Sequence, residues 1–195
     1  PISETPSWTV PEAGPQGWGA YEGGAALLAA LAEGGAPRAA WSVLPEREGL
    51  VRGWVPLVAE APAATLAAGR GVLVVVATTE QAEAVAAALS AELEGEPVVA
   101  LAAEHGPARR YRSFLRLLLG HARVAVGTRA AAFAPVPDLG LMVLWDDGDD
   151  RLDERHAPYV HSRTVLALRS GLEGAGLLLA GYSRSVEAQS YVEAG

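Results

Sequence analysis

The sequence predicts a single α/β domain built on a parallel sheet. Short apolar runs rich in Val, Leu and Ala alternate with helical segments along most of the 195 residues. The runs do not alternate polar with apolar residues, so each strand is expected to be covered on both faces. Half of the residues are hydrophobic, which suffices for one sizeable core. In such a sheet the crossovers are right-handed and ligands bind where the strands end.

The individual elements follow from apolar runs and from helix start and stop signals. Strands are predicted at 39–44, 71–76, 97–101, 123–126, 139–145 and 176–180. Helices are predicted at 20–31, 50–68, 79–93, 107–119, 161–170 and 185–194. The second helix is expected to be broken because it contains Pro56 and Pro62. Thr78 or Thr79 is the expected N-cap of the third helix.

Residues 1–19 differ from the rest of the chain, since they are rich in Pro, Gly, Ser and Trp and have no periodicity. They are predicted to form an extended arm or linker, and 20–195 the folded lobe. The sequence begins at Pro1 without an initiator Met. We therefore expect the chain to be a piece of a longer protein.

The composition narrows the class of function. There is no Cys, which excludes a disulfide framework, a CxxC zinc site and a thiol nucleophile, and fits a reducing compartment. No apolar stretch reaches membrane-spanning length and the start is not a signal peptide, so a cytoplasmic protein without membrane contact is expected. The net charge of -8 repels polyanions, so any contact with nucleic acid must be local.

The segment 123–150 contains the residues that say most about function. Two predicted strands flank Gly127, Thr128 and Arg129, and the second strand ends at Asp146 and Asp147. Carboxylates at the end of a parallel strand are where an α/β ATPase holds magnesium and polarises water. The position indicates a nucleotide-driven motor, or a protein derived from one.

Four strings resemble the first RecA-like lobe of the PriA family (primosomal protein N′), the bacterial replication-restart helicases of superfamily 2. VAVGTRAAAFAP at 124–135 is similar to the family pattern VVVGTRSAxFAP, and DLGL at 138–141 to NLGL. PYVHSR at 158–163 resembles PRYHAR, and LLAGYSRSVE at 178–187 lies where the family has LGSATPSxE. The resemblance runs from residue 20 to the end. It implies a three-layer, parallel-sheet fold of the P-loop NTPase (RecA-like) class, as in a helicase lobe.

The same alignment implies that the Walker A loop is degenerate. GxxxxGKT falls on SVLPEREG at 42–49, so Ser42 and Arg47 replace the two glycines. Glu48 stands at the Lys position, Gly49 at the hydroxyl position, and Pro45 removes a backbone donor. A carboxylate beside a triphosphate is repulsive by roughly 1 to 4 kcal/mol. Tight ATP binding is therefore not expected.

The other two nucleotide motifs are altered as well. The family's DEEH falls on WDDG at 145–148, which puts Trp145 in place of the metal-holding carboxylate. Its SATP falls on GYSR at 181–184, where Ser183 alone keeps a hydroxyl. Asp146, Asp147 and Ser183 are thus interpreted as vestigial catalytic residues. Active members of the family use ATP and magnesium, whereas no cofactor is expected in this chain.

The sequence leaves the candidate binding residues with two interpretations each. Gly127, Thr128 and Arg129 are predicted to contact DNA phosphates, or else form a strand-end turn whose Arg pairs with a local carboxylate. The acidic run 146–154 could hold Mg²⁺ or Ca²⁺ or dock a basic partner, but it lacks EF-hand spacing and a solvated loop is the simpler interpretation. The arginines of the fourth helix could follow a DNA backbone or form a solvated face; they are Arg109, Arg110, Arg112 and Arg116. The His residues have no metal-ligand spacing and no Ser lies in a GxSxG string, so neither a metal site nor a hydrolase triad is predicted.

Three functional hypotheses follow. The leading one is a helicase-like lobe that does not hydrolyse ATP and serves replication restart and primosome assembly. Its expected partners are DNA, at forks or D-loops, and other primosome or replication proteins. The second is an active ATP-dependent 3′–5′ DNA helicase completed by a second lobe. The third is a nucleotide-independent scaffold that recruits replication proteins through the acidic run.

Overall fold

The structure, a computed structural model, describes residues 17–44, 53–93, 95–102 and 106–194. Its strands are β1 (Arg38–Ser42), β2 (Gly71–Val75), β3 (Val98–Leu101), β4 (Val124–Gly127), β5 (Leu139–Trp145) and β6 (Gly176–Gly181). Its α-helices are α1 (Gly24–Ala32), α2 (Trp54–Ala67), α3 (Thr79–Glu92), α4 (Gly106–Leu118), α5 (Ser162–Glu173) and α6 (Val186–Ala194). Short 3-10 helices lie at Gly17–Ala20, Arg129–Phe133 and Asp150–Leu152.

The six strands form one sheet in the order β1-β6-β5-β2-β4-β3, and every pairing is parallel. All strands therefore end at the same edge, which we call the carboxyl edge. The predicted α/β fold with a parallel sheet is confirmed. Because the first strand pairs with the last, segments far apart in sequence meet at this edge.

Helices cover both faces of the sheet, which explains why the strands are apolar throughout. Every residue of β2 is buried. Val72 and Val74 belong to a core shared with α1, α2 and α3, whereas Leu73 and Val75 belong to a second core shared with α5 and with the end of α4. Successive side chains of a strand point to opposite faces, so the sheet is the middle of three layers.

The second helix differs from its prediction. α2 runs without a break from Trp54 to Ala67 and includes Pro62. Pro56 lies in the first turn, where its missing N–H has no intrahelical acceptor to lose. Pro62 removes one internal bond, and its ring is buried in the core. The expected N-cap of α3 is confirmed as Thr78, which forms a capping box with Gln81.

The folded part includes residues that the sequence assigned to the arm. Trp18 is 3% exposed, and its indole N–H donates to the Leu57 carbonyl at 2.9 Å. Its ring also packs on Trp41 of β1, with the centroids 4.4 Å apart. The remainder of the predicted arm, residues 1–16, lies outside the described residues. Across the described parts of the chain, no helix has the length and apolar character needed to cross a membrane.

Candidate functional site at the carboxyl edge

Three predicted motif positions meet because β1, β6 and β5 are neighbours in the sheet. Ser42 pairs in register with Gly181, and Trp145 with Ala180. Ser42, Asp147 and Ser183 all line one small cavity between the strand ends. The other residues that the sequence assigned to a degenerate Walker A loop lie outside the described residues; they are Pro45, Arg47, Glu48 and Gly49.

The space between the described residues at this place is small. The cavity has a volume of about 10 Å³. That is close to the minimum for a single water molecule, roughly 10 to 15 Å³. Between the side chains that line it, this cavity has room for about one water molecule.

Trp145, which the sequence alignment set against the family's metal-holding carboxylate, is part of the core. The side chain is 2% exposed. Its ring stacks on Trp54 of α2 at a centroid distance of 3.7 Å and an interplanar angle of 7°. Tyr182, just after β6, contacts it edge-on at 5.3 Å. The aromatic stack therefore joins α2 to the end of β5.

Asp147 is buried and its carboxylate is already hydrogen-bonded. Arg163 at the start of α5 donates to the Asp147 carboxylate at 3.0 Å and to its carbonyl at 2.7 Å. The Ser185 hydroxyl donates to the same carboxylate oxygen at 2.5 Å and accepts the Ala188 N–H at the start of α6. Glu187 contacts the other arm of the guanidinium at 3.1 Å. The Arg163 and Ser185 bonds are both made to one oxygen of the Asp147 carboxylate, Oδ2, and through them Asp147 joins α5 to α6.

Asp146 adopts a different role from its neighbour. It lies in the left-handed region at φ 54°, and its N–H donates to the Ala180 carbonyl at 2.6 Å. Partial burial raises the pKa of the Asp146 carboxyl, and the nearby charges of Asp149 and Asp147 raise it further. Arg151 holds the pKa of Asp149 below its usual value by hydrogen bonding to that carboxylate. Asp147 thus serves packing, and Asp146 serves the turn that follows β5.

Two further carboxylates of the acidic run form ion pairs, Asp149 with a residue of the run and Glu154 with residues outside it. Asp149 bonds Arg151 at 2.5 Å, and Glu154 contacts both Arg129 at 3.3 Å and His156 at 3.1 Å. No group of three or more His, Asp or Glu side chains that could hold a metal ion occurs in the described part of the chain.

The residues predicted to contact DNA lie at a second position on the carboxyl edge, at the end of β4. Strand β2 lies between β4 and β5. A Cβ at Gly127 would lie 2.4 Å from the Leu101 carbonyl oxygen and 2.6 Å from the Ala131 Cβ. Close packing against β3 and the following turn therefore requires a glycine here. Phosphate approach is not needed to explain it.

Thr128 and Arg129 differ in how free their side chains are. The Thr128 hydroxyl makes no hydrogen bond to a described residue, and the side chain lines a groove beside α4. The Arg129 guanidinium donates to the Asp153 carbonyl at 2.6 Å and contacts Glu154 at 3.3 Å. The local pairing that the sequence offered as an alternative for Arg129 is present.

Sequence reasoning did not identify Arg163, Ser185 and Glu187 as parts of this edge. The sequence did contain one indication that Arg163 matters, because it is the last residue of the PYVHSR string at 158–163. It served only to align the chain. The partner of a buried Arg depends on which loops the sheet order brings together, and local sequence does not reveal that.

Curated proteins similar to this chain are named for replication restart. "Probable replication restart protein PriA" of Mycobacterium tuberculosis (strain H37Rv) is 43% identical over 181 residues, which are 93% of this chain and 27% of the relative. The protein of that name in Mycobacterium leprae is 40% identical over 195 residues, 100% of this chain and 29% of the relative. The chain spans less than a third of the length of these relatives. No family model matches it.

Solved structures of a helicase share the fold. The DUF1998 helicase MrfA bound to DNA matches with a TM-score of 0.50 and 11% identity, over 80% of this chain and 20% of the helicase. MrfA bound to DNA and AMPPNP matches with a TM-score of 0.51 and 14% identity, over 80% of this chain and 21% of the helicase. At this identity the match establishes the helicase-type fold. The chain is 40 to 43% identical to these mycobacterial proteins over nearly its whole length. It therefore belongs to the PriA family of replication restart proteins.

Proposed function

We propose that this chain is the helicase-like lobe of a replication restart protein that supports primosome assembly on DNA without hydrolysing ATP. The observation that carries the proposal is the buried contact between Asp147 and Arg163 beside a cavity of about 10 Å³. The carboxylate that would have to serve a nucleotide is committed to holding two helices. The proposal places the protein in the cytoplasm, with DNA and other replication proteins as partners.

The energetic argument concerns what ATP binding would have to undo. Drawing Asp147 toward a magnesium ion would leave Arg163 buried without its partner, and breaking a buried ion pair costs about 3 to 5 kcal/mol. The chain also has no Lys, since all 15 of its basic residues are Arg. Trp145 cannot replace a carboxylate as a ligand of magnesium. Each of these features opposes nucleotide binding independently of the others.

Isothermal titration of Mg-ATP into the chain tests the proposal. We expect no binding heat from a sample that unfolds cooperatively and binds forked DNA. An affinity in the micromolar range would refute the claim of deficiency and favour the active helicase. In that case the longer protein should show DNA-stimulated phosphate release that Asp147→Asn abolishes.

The DNA part of the proposal rests on Thr128 and Arg129, which follow β4 at the carboxyl edge. Thr128 offers a hydroxyl that bonds no described residue. Arg129 donates to the Asp153 carbonyl and forms a partly exposed ion pair with Glu154, both side chains being 32% exposed. Exposed pairs contribute about 0 to 1 kcal/mol, so a phosphate can displace Glu154 at little cost. Phosphate contacts of Arg and Thr are the usual way in which a protein fixes its position on DNA.

Fluorescence anisotropy with a forked oligonucleotide at two salt concentrations tests this part. We expect salt-sensitive binding that Arg129→Ala weakens. Arg123→Ala is the matched control, because Arg123 also forms a partly exposed ion pair, with Glu96 at 2.7 Å, but precedes β4 at the opposite edge. Absence of any signal would favour the scaffold hypothesis, in which the chain contacts only proteins.

A further inference from the structure

A groove lies between α4 and the 3-10 helix Arg129–Phe133, where β3 and β4 end. We call it the aromatic groove; the lining residues used below are Leu101, Arg110, Tyr111, Phe114, Thr128 and Phe133. Its volume is about 560 Å³. Ligand sites in proteins commonly measure about 300 to 1,000 Å³. The groove is thus large enough for a ligand, and it adjoins the predicted DNA residues through Thr128.

The aromatic side chains of the groove are exposed to an extent that folding does not require. Tyr111 is 64% exposed, Phe133 is 62% exposed and Phe114 is 40% exposed. Only Leu117 is buried among the residues of α4. Several large rings exposed around one concave surface mark a binding surface more often than a neutral one.

The charge of α4 is opposite to that of the chain as a whole. The helix carries Arg109, Arg110, Arg112 and Arg116 and no Asp or Glu, whereas the chain has a net charge of -8. None of these arginines forms an ion pair with a described residue. At helical spacing, three of them share one face, and Arg110 lines the groove itself. That shared face, of Arg109, Arg112 and Arg116, lies opposite the side of α4 that carries Tyr111 and Phe114. Arg110 is thus the positive charge that α4 supplies to the groove, in a chain whose net charge repels polyanions.

Exposed rings beside Arg110, which has no ion pair with a described residue, match single-stranded nucleic acid. We propose that bases of single-stranded DNA stack on Tyr111 and Phe133 in the aromatic groove, while Arg110 and the Thr128 hydroxyl contact the phosphates. This inference deepens the DNA part of the proposed function and rests on it. In a duplex the base faces are already stacked on one another, so duplex DNA cannot use the rings in this way. The proposal places the unwound part of a fork at α4.

Oligonucleotide binding by the chain tests the inference. Anisotropy with a labelled oligo-dT strand should show affinity that falls about 5- to 150-fold in Tyr111→Ala and in Phe133→Ala, the range expected for losing one base–aromatic stack. Phe133→Tyr keeps an aromatic face and should retain most of the affinity. Tyr191→Ala is the matched control, because Tyr191 is 42% exposed on α6 and lies outside the groove. Both test positions are exposed, so the variants should unfold at nearly the wild-type temperature.

Photocrosslinking supplies a readout that a merely structural role would not move. An oligonucleotide containing 5-iododeoxyuridine should crosslink to Tyr111 or Phe133, as mapped by mass spectrometry. The inference would be overturned if the fork still binds, both Ala variants bind normally and the crosslinks map to other residues. That result would leave the DNA function intact. Absence of all DNA binding would overturn both.

Two other possible occupants of the aromatic groove, a polyanion without bases and a second copy of the chain, would give different results. If poly-glutamate competes as effectively as oligo-dT, charge alone determines binding without base stacking. That result would overturn the inference. A concentration-dependent dimer that Tyr111→Ala dissociates would assign the groove to a second copy of the chain, with the same consequence.

Discussion

The guanidinium of Arg163 lies 3.0 Å from the carboxylate of Asp147, and the two side chains are only 8% and 4% exposed. Arg163 belongs to the first turn of α5, and Asp147 follows β5. Through Ser185, the same carboxylate also reaches the start of α6. The pair thus holds together the end of β5 and the starts of α5 and α6.

Asp147→Ala should destabilise the chain by about 3 to 5 kcal/mol, because it leaves Arg163 buried without a partner. Urea unfolding measures the loss. The double variant Asp147→Leu with Arg163→Met removes both charges and should lie much closer to the wild type. Glu187→Ala is the control, since Glu187 is 60% exposed and should cost no more than about 1 kcal/mol. A stability of Asp147→Ala equal to that of the wild type would mean that the pair is not structural.

Much of the fold could be predicted because buried parallel strands leave a strong local signal. β5 has the predicted bounds of 139–145, and the other strands shift by one or two residues. The N-cap Thr78 was predictable for the same reason, since its hydrogen bonds are made to residues three positions away. Information of this kind is contained in short windows of sequence.

What could not be predicted depends on long-range packing. The continuity of α2 past Pro62 depends on the burial of that ring in the core, and the stack of Trp54 on Trp145 depends on how α2 lies across the sheet. The structure brings Asp147 near Ser42 and Ser183 and pairs it with Arg163, and the alignment did not indicate that pairing. Buried pairs are selected by geometry that only the folded chain defines.

His161 should make stability depend on pH. Its Nδ1 accepts the Arg163 N–H at 2.9 Å, so the ring caps α5 in its neutral form. Burial and the Arg163 charge lower the pKa of His161 from 6.5, against the opposing charges of Asp153, Asp147 and Glu187. The unfolded chain therefore binds the proton first, and this contribution to stability is complete above about pH 6.5 and is lost as the pH falls below it.

His161→Asn keeps a good N-cap and removes the titrating ring. Between pH 7 and pH 5 the unfolding temperature of the variant should fall less than that of the wild type. His121→Asn changes an exposed His in the same way and should follow the wild type. Equal slopes for His161→Asn and the wild type would show that the cap does not titrate in this range.

Asp146→Asn should stabilise the chain at neutral pH. Burial and the charges of Asp149 and Asp147 raise the pKa of Asp146, so the ionised form is disfavoured in the fold. The folded state therefore holds its proton more tightly, and the penalty appears as the pH rises through the raised pKa. Thermal unfolding should show an advantage of the variant at pH 7 that shrinks as the pH is lowered.

The backbone effect of this exchange needs its own control. Asp146 lies at φ 54° and Asp138 at φ 44°, and Asn tolerates this region better than most residues. Asp138→Asn reproduces the backbone change away from the acidic run. An equal gain in both variants at every pH would assign the effect to backbone conformation and not to charge.

Gly127→Ala separates the packing role of this glycine from a phosphate-binding role. The added Cβ would lie 2.4 Å from the Leu101 carbonyl oxygen and 2.6 Å from Ala131, and a strand backbone cannot move aside cheaply. We expect a loss of about 1 to 3 kcal/mol, as for other overpacked sites. Gly148→Ala meets only Ser185 at 3.9 Å and should change stability by less than about 0.5 kcal/mol. If Gly127→Ala were as stable as the wild type but bound forked DNA weakly, close approach of a phosphate would be the reason for the glycine.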